Sequence, residues 1–217
     1  MTAWSYSSLN DFQNCPRAYQ LKRVTKECKT VESEAMRFGT ECHAYLENRM
    51  VKKDALPPHL EWLEAMMRMV EESSGEVVSE QQVAITKGLT PTTWFGKDVW
   101  CRGVFDGGIR HKDRSIIYDY KTGKRKHDTE QLMLFAGLEF ALRPEIAAVK
   151  TGYVWLKDKV IDSAMYTRED IPSIWNHFLP KVERLEKAFA TNEWPAKSSG
   201  LCGWCPATKL QCKNAKG

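Results

Sequence analysis

The order of segments predicts an α/β fold, a mixed central sheet covered by helices on both faces. Three observations carry it. Helical periodicity governs the first third of the chain. Strand-like alternation begins near Val77. A helix that is apolar nearly all round, Asp128 to Leu142, then separates two groups of strands. Such a helix belongs inside the molecule rather than on its surface.

The elements follow in order. Ser8-x-x-Asp11 has the form of a capping box and opens a helix with Leu9, Phe12, Tyr19 and Leu21 on its apolar side. Pro16 kinks or splits that helix. A second helix runs from about Phe38 to Lys53. A third follows Pro57-Pro58 and carries Leu60, Leu63, Met66, Met67 and Val70. Val77 to Ile85 is a strand. Trp100 to Ile109 and Ser115 to Lys121 form a hairpin turning at Lys112-Asp113. Val149 to Leu156 and Lys159 to Tyr166 are further strands, and Glu169 to Thr191 is a long helix ahead of a Cys-rich tail.

At 217 residues the chain reads as one domain, 1–217. It has no apolar run long enough to span a membrane and no apolar leader after Met1, which predicts a cytoplasmic protein with no membrane partner. The net charge of +4 is too small to define a partner by itself. Its distribution is uneven. Arg17 to Lys29 holds five basic residues and one acid, and Lys121 to His127 holds four Lys/Arg and no acid. Each run is either a solvated face or a phosphate-binding surface. Trp94, Phe95 and Trp100 are either core or stacking surfaces for unpaired bases. No P-loop or base-reading module is present.

The hairpin carries the chemistry. With a two-residue loop, residues whose numbers sum to 225 lie opposite each other, so Asp106 faces Asp119 and Lys121 shares that face. Opposed carboxylates repel unless a cation lies between them, and oxygen ligands of this kind suit Mg²⁺ or Mn²⁺. The bland alternative is a surface hairpin with ordinary salt bridges. A divalent cation would polarise a phosphoryl oxygen and activate water for hydrolysis. On the second helix Gly39, His43 and Glu47 share one face. His43 can supply an imidazole ligand. Glu47 is either its supporting partner or a solvated residue. Glu80 can approach the same metal from the first strand.

Taken together, these residues resemble a known family. Gly103-x-x-Asp106, Asp119-Tyr-Lys121-Thr-Gly and Gln131-Leu132 resemble the RecB-like branch of the PD-(D/E)xK nucleases. Phe38-Gly39-Thr40-x-x-His43 resembles that branch's helical motif, and Ser5-x-Ser7-Ser8-Leu9 to Cys15-Pro16 and Tyr19 resembles its opening segment. The pattern is similar to that of the small iron–sulfur nucleases of CRISPR adaptation and of phages. The resemblance implies a PD-(D/E)xK fold and a metal-dependent DNA nuclease. It implies metal ligands at His43, Asp106, Asp119 and the Tyr120 carbonyl, with Lys121 orienting water and Gln131 holding Lys121 or substrate. An exonuclease on single-stranded DNA ends is the expected activity, with recombination or CRISPR-type partner proteins. The competing class is a nonenzymatic nucleic-acid-binding or assembly subunit. Where relatives often carry Tyr four residues after the Gln, this chain has Phe135.

Seven cysteines, an odd number, argue against a disulfide framework. Cys202-x2-Cys205-x6-Cys212 supplies three thiols in a short span. Resemblance to the iron–sulfur members supplies Cys15 as the fourth ligand. The set then binds a [4Fe–4S] cluster or Zn²⁺, and joins 1–30 to 195–217 as one cluster-binding segment. Cys28, Cys42 and Cys101 read as buried or incidental.

Overall fold

A computed structural model describes residues 3–29 and 32–215. Among these the elements run α1 (Tyr6–Asn14), α2 (Pro16–Tyr19), α3 (Glu34–Lys52), α4 (Glu64–Glu72), β1 (Glu76–Thr86), β2 (Val99–Arg110) and β3 (Arg114–Lys121). They continue with α5 (Glu130–Leu142), β4 (Ala148–Trp155), β5 (Val160–Thr167) and α6 (Ile171–Thr191). The chain divides into two compact units. One is Met1–Glu32 with Asn176–Gly217, and the other is Ser33–Trp175.

In the first unit the capping box lies one turn earlier than expected. Ser5 caps α1, its Oγ accepting from Ser8 N while Ser8 Oγ accepts from Ser5 N. Ser8-x-x-Asp11 is therefore not the cap. Asp11 instead pairs with Arg23, 2.6 Å away. Pro16 splits the helix, as expected. Cys15 is extended, and Pro16 occupies the first turn of α2 where no N–H is needed. Tyr19 stacks on Trp194, and Phe12 meets both rings edge-on. Arg17 donates through Nε and Nη2 to the Gln211 carbonyl, at 3.0 and 2.9 Å. Two cations of the 17–29 run are thus engaged within the unit.

The second unit holds the sheet, with strand order β1-β2-β3-β4-β5. All neighbours are antiparallel except β3 and β4. A parallel pair needs a crossover, and α5 supplies it. Strand alternation shows how the helices are distributed. Val154 packs with Leu46 of α3 and Met67 of α4, whereas its neighbours Tyr153 and Trp155 pack with Leu132 of α5. Helices therefore cover both faces, α3 and α4 on one and α5 on the other. Burial on all sides explains why α5 is apolar nearly all round. α3 starts at Glu34, four residues before the expected Phe38, because Ser33 caps it by accepting from Met36 N.

A carboxylate is closed off completely inside this packing. Glu139 of α5 is 0% exposed. Its carboxylate accepts from Arg110 Nε at 2.7 Å, Arg110 Nη2 at 2.8 Å and Ser115 Oγ at 2.7 Å. The network ties α5 to β2 and β3. Glu139→Leu leaves the buried Arg110 with only the longer, exposed contact to Glu76 at 3.7 Å, so it should cost about 3–5 kcal/mol in urea unfolding. The double replacement Arg110→Met with Glu139→Leu should recover most of that loss.

Candidate active site

The β2–β3 hairpin has the expected two-residue loop. His111 N donates to Arg114 O at 2.8 Å, and the paired residues Gly107–Tyr118 through Arg110–Ser115 all sum to 225. The ladder stops there. Asp106 and Asp119 would form the next pair but do not. Tyr120 N instead donates to Asp106 Oδ2 at 2.8 Å, so a side chain takes the place of a ladder carbonyl.

The cause is a break in strand alternation. Phe105 packs on Phe135 of α5. Gly107, two residues on, points at the Tyr120 ring, which belongs to the core on the α3 face. Opposite this break, β1 keeps the same register on either side of Glu80, and Glu80 itself has φ 43°. A left-handed non-glycine residue inside a strand is strained, and such irregularities re-aim side chains beside functional sites. Here they bring three carboxylates to the point where β2 and β3 part.

α3 delivers the imidazole. Gly39 lets the helix come close to the strand end, since a Cβ there would stand 3.2 Å from Thr122 Oγ1. One turn later, His43 Nε2 donates to Tyr120 O at 3.0 Å. His43 Nδ1 lies 3.3 Å from Glu80 Oε1 and 3.6 Å from Asp106 Oδ2. His43, Glu80 and Asp106 offer ligand atoms that all lie within 4.8 Å of one another.

α5 delivers the amide. Gln131 Nε2 donates to Asp119 Oδ1 at 2.6 Å, and Gln131 Oε1 accepts from Lys121 Nζ at 2.9 Å. Lys121 Nζ stands 2.6 Å from Asp119 Oδ2, though without a well-directed hydrogen bond. The loop after Lys121 is pinned by Arg125, whose Nε and Nη2 donate to Asp162, which also accepts from Trp155 Nε1.

The electrostatics are those of crowded acids. Burial, then the charge of Asp119, pushes Asp106 up to about 8. Burial also raises Asp119, against the opposing pull of Lys121. Burial disfavours the charged form of His43, yet the bond to Glu80, the charge of Asp106 and the Tyr120 carbonyl together raise it to about 9. Buried carboxylates held beside one another and beside an imidazole fit a divalent cation. Their oxygen and nitrogen donors suit Mg²⁺ or Mn²⁺.

The structure thus brings together His43, Asp106 and the Tyr120 carbonyl, and sets Asp119, Lys121 and Gln131 beside them as one hydrogen-bonded group. Glu80, a marginal candidate from sequence, sits inside the ligand cluster. Its signal was the β1–β2 register, which periodicity alone does not give. Glu47 is exposed and solvated. Phe135 is core, packed against Phe105.

A second group lies in the first unit. Cys15, Cys202, Cys205 and Cys212 line one cavity of about 170 Å³. Cys15 Sγ accepts from Ala18 N and Lys197 N, and Cys202 Sγ accepts from Ser199 N. Cys28 packs beside Cys205 and Cys212, but its Sγ donates to Pro206 O and Gln211 Oε1, and burial raises its thiol pKa.

The model of the PD-(D/E)XK nuclease superfamily matches residues 3–212. The chain belongs to this superfamily. Five strands with helices on both faces agree with that nuclease fold. A crystal structure from Eubacterium rectale, designated a candidate exonuclease, is similar at a TM-score of 0.56 and 14% identity. The match covers 94% of this chain and 86% of that one, and shows a shared fold. The crystal structure of SSO0001 matches at a TM-score of 0.41 and 16% identity, over 94% and 83% of the two chains. A search of curated proteins returns no match. Among the described residues, no helix of this nuclease-superfamily member is long and apolar enough to cross a membrane.

Mn²⁺ should raise the melting temperature of the parent by relieving repulsion among Glu80, Asp106 and Asp119. His43→Ala and Asp106→Ala should each reduce that rise, and EDTA should abolish it. Thermal scans with and without metal check this.

Proposed function

We propose that the chain is a metal-dependent deoxyribonuclease that removes nucleotides from single-stranded DNA ends. The observation that carries the reading is the convergence of His43, Glu80 and Asp106 beside the Asp119–Lys121–Gln131 group. His43, Glu80, Asp106 and Asp119 would hold Mg²⁺ or Mn²⁺. When bound, the ion would polarise a phosphoryl oxygen and offset the charge that develops during hydrolysis.

The other steps fall to the chain's own groups. Lys121 Nζ, fixed by Gln131 Oε1, donates hydrogen bonds toward the phosphate and the incoming water. Gln131 keeps Asp119 and Lys121 in register by holding both. Burial of Asp106 and Asp119 leaves their negative charge poorly screened by water, which strengthens their attraction for a cation. Lys124 and Lys126, on the loop anchored by Arg125, neutralise flanking phosphates without reading sequence.

End-labelled single- and double-stranded DNA with Mn²⁺, Mg²⁺ or EDTA tests this. Cleavage should require metal and favour the single strand. It should fall about 10²- to 10³-fold in Asp119→Ala and in Lys121→Ala, while the melting temperature stays close to the parent's. Cleavage by Asp119→Ala at the parent rate would exclude this site. Binding without cleavage under any metal would favour the assembly-subunit reading.

We further infer that the four cysteines hold a [4Fe–4S] cluster in a structural role. Four thiolates around one zinc at about 2.3 Å stand about 3.8 Å apart. Zn²⁺ would need all four thiols at that spacing, and metal content separates it from the cluster. Backbone N–H donors on Cys15 and Cys202 support thiolate sulfur. Anaerobically purified protein should be brown and carry about four irons and four sulfides per chain. Cys205→Ala should lose the colour and the yield of soluble protein. Stoichiometric zinc in a colourless parent would overturn the cluster assignment.

A further inference from the structure

The loop joining β1 to β2 presents a surface that neither the metal cluster nor the cysteines use. Phe95 at its tip is 85% exposed. A single exposed aromatic needs no explanation, but this one is part of a group. The Arg102 guanidinium lies 5.2 Å from the centre of the Trp94 ring and 6.0 Å from that of Phe95. Arg102 Nε is buried without a hydrogen-bond partner, and among the described residues no carboxylate pairs with Arg102. The cation is oriented by two rings and its charge is not satisfied by the protein.

The loop is also built to hold a shape. Thr92 N donates to Ala84 O, and Ile85 bridges to Pro91. Thr92 Oγ1 donates to Asp98 Oδ1 at 2.7 Å, and Gly96 N donates to Thr93 O. Gly96 is required by this packing, because a Cβ there would stand 2.6 Å from Thr92 Oγ1. Phe95 is thus displayed on a braced turn and not on a floppy one. Residues 87–102 carry Lys87, Lys97 and Arg102 against Asp98 alone, a net charge of +2. Trp100, the third aromatic of the segment, is buried against Trp175 and takes no part.

An exposed aromatic face beside a second, half-buried ring and an unpaired arginine suits one ligand chemistry above others, flat bases joined by phosphates. A duplex hides its base faces in the stack, whereas an unpaired strand offers them. We infer that Trp94, Phe95 and Arg102 form a stacking platform for an unpaired stretch of DNA. A base lies on Phe95, and Arg102 meets the adjacent phosphate. The inference rests on the nuclease reading for its ligand, and it gives that reading a source of single-strand preference outside the metal cluster.

The test uses the full chain in EDTA, so no bond is cut. Fluorescence anisotropy measures binding of labelled oligothymidylate and of a duplex of equal length. Phe95→Ala should weaken oligothymidylate binding roughly five- to hundredfold and leave duplex binding close to the parent's. Phe95→Tyr, which keeps an aromatic face, should retain parent affinity. Arg102→Gln should make the dependence of affinity on salt shallower by about one phosphate contact. An unchanged melting temperature in Phe95→Ala shows that the fold is kept. Parent-like oligothymidylate binding by Phe95→Ala would overturn the platform and leave the patch to a protein partner. Equal losses on both DNA forms would overturn its single-strand character. Since hydrolysis is absent from the assay, a platform that fails here and a nuclease that fails to cut are separate results.

Discussion

Carboxylates do not gather in a protein interior without a counter-charge, and much of the second unit is arranged around that fact. Asp106 is 8% exposed and Asp119 3%, with Glu80 close by. Each ionised acid makes the next harder to ionise, and burial adds to the difficulty. The groups that answer them are few: the His43 imidazole, the Tyr120 N–H, the Lys121 ammonium and the Gln131 amide. A divalent cation at this place would satisfy more of that demand than any of these donors.

The fold meets this demand by drawing on both faces of the sheet. α3 comes from one face with His43, and α5 comes from the other with Gln131. They can address one site because β2 loses its alternation around Asp106 and pairs with β3 only from Gly107 onward. A regular ladder would have set Asp106 and Asp119 squarely opposite each other on one face, reachable by one helix only. The strained Glu80 backbone and the shortened ladder therefore have a common purpose. They exchange local regularity for a site assembled from two layers. The buried Arg110–Glu139 pair holds α5 to the sheet behind that site.

Much of this was legible in the sequence for reasons that can be named. The hairpin loop at Lys112-Asp113 follows from two flanking strands and a polar pair, and it fixed the correct register sum. Apolar residues on all sides of α5 announced a buried helix. What could not be read was the departure from regularity. Alternation rules assume a continuous pleat, so they placed Asp106 opposite Asp119 and could not foresee that Tyr120 N would bond the Asp106 side chain. Glu80 was underweighted because its place depends on β1–β2 register, a long-range property. Ser8 and Asp11 matched the capping pattern, yet Ser5 caps α1. The Ser5–Ser8 exchange satisfies the same backbone groups one turn earlier, and Asp11 is taken by Arg23. The role of Phe95 was undecidable from composition, because exposure is set by the turn that carries it.

The central claim is that the break in β2 exists to seat a cation among groups from both faces. Anomalous diffraction from crystals grown with Mn²⁺ tests it directly. The account predicts one strong peak bounded by His43, Glu80, Asp106 and Asp119, with the Tyr120 carbonyl at its edge. A peak elsewhere, or none at this point with the metal in large excess, would contradict it.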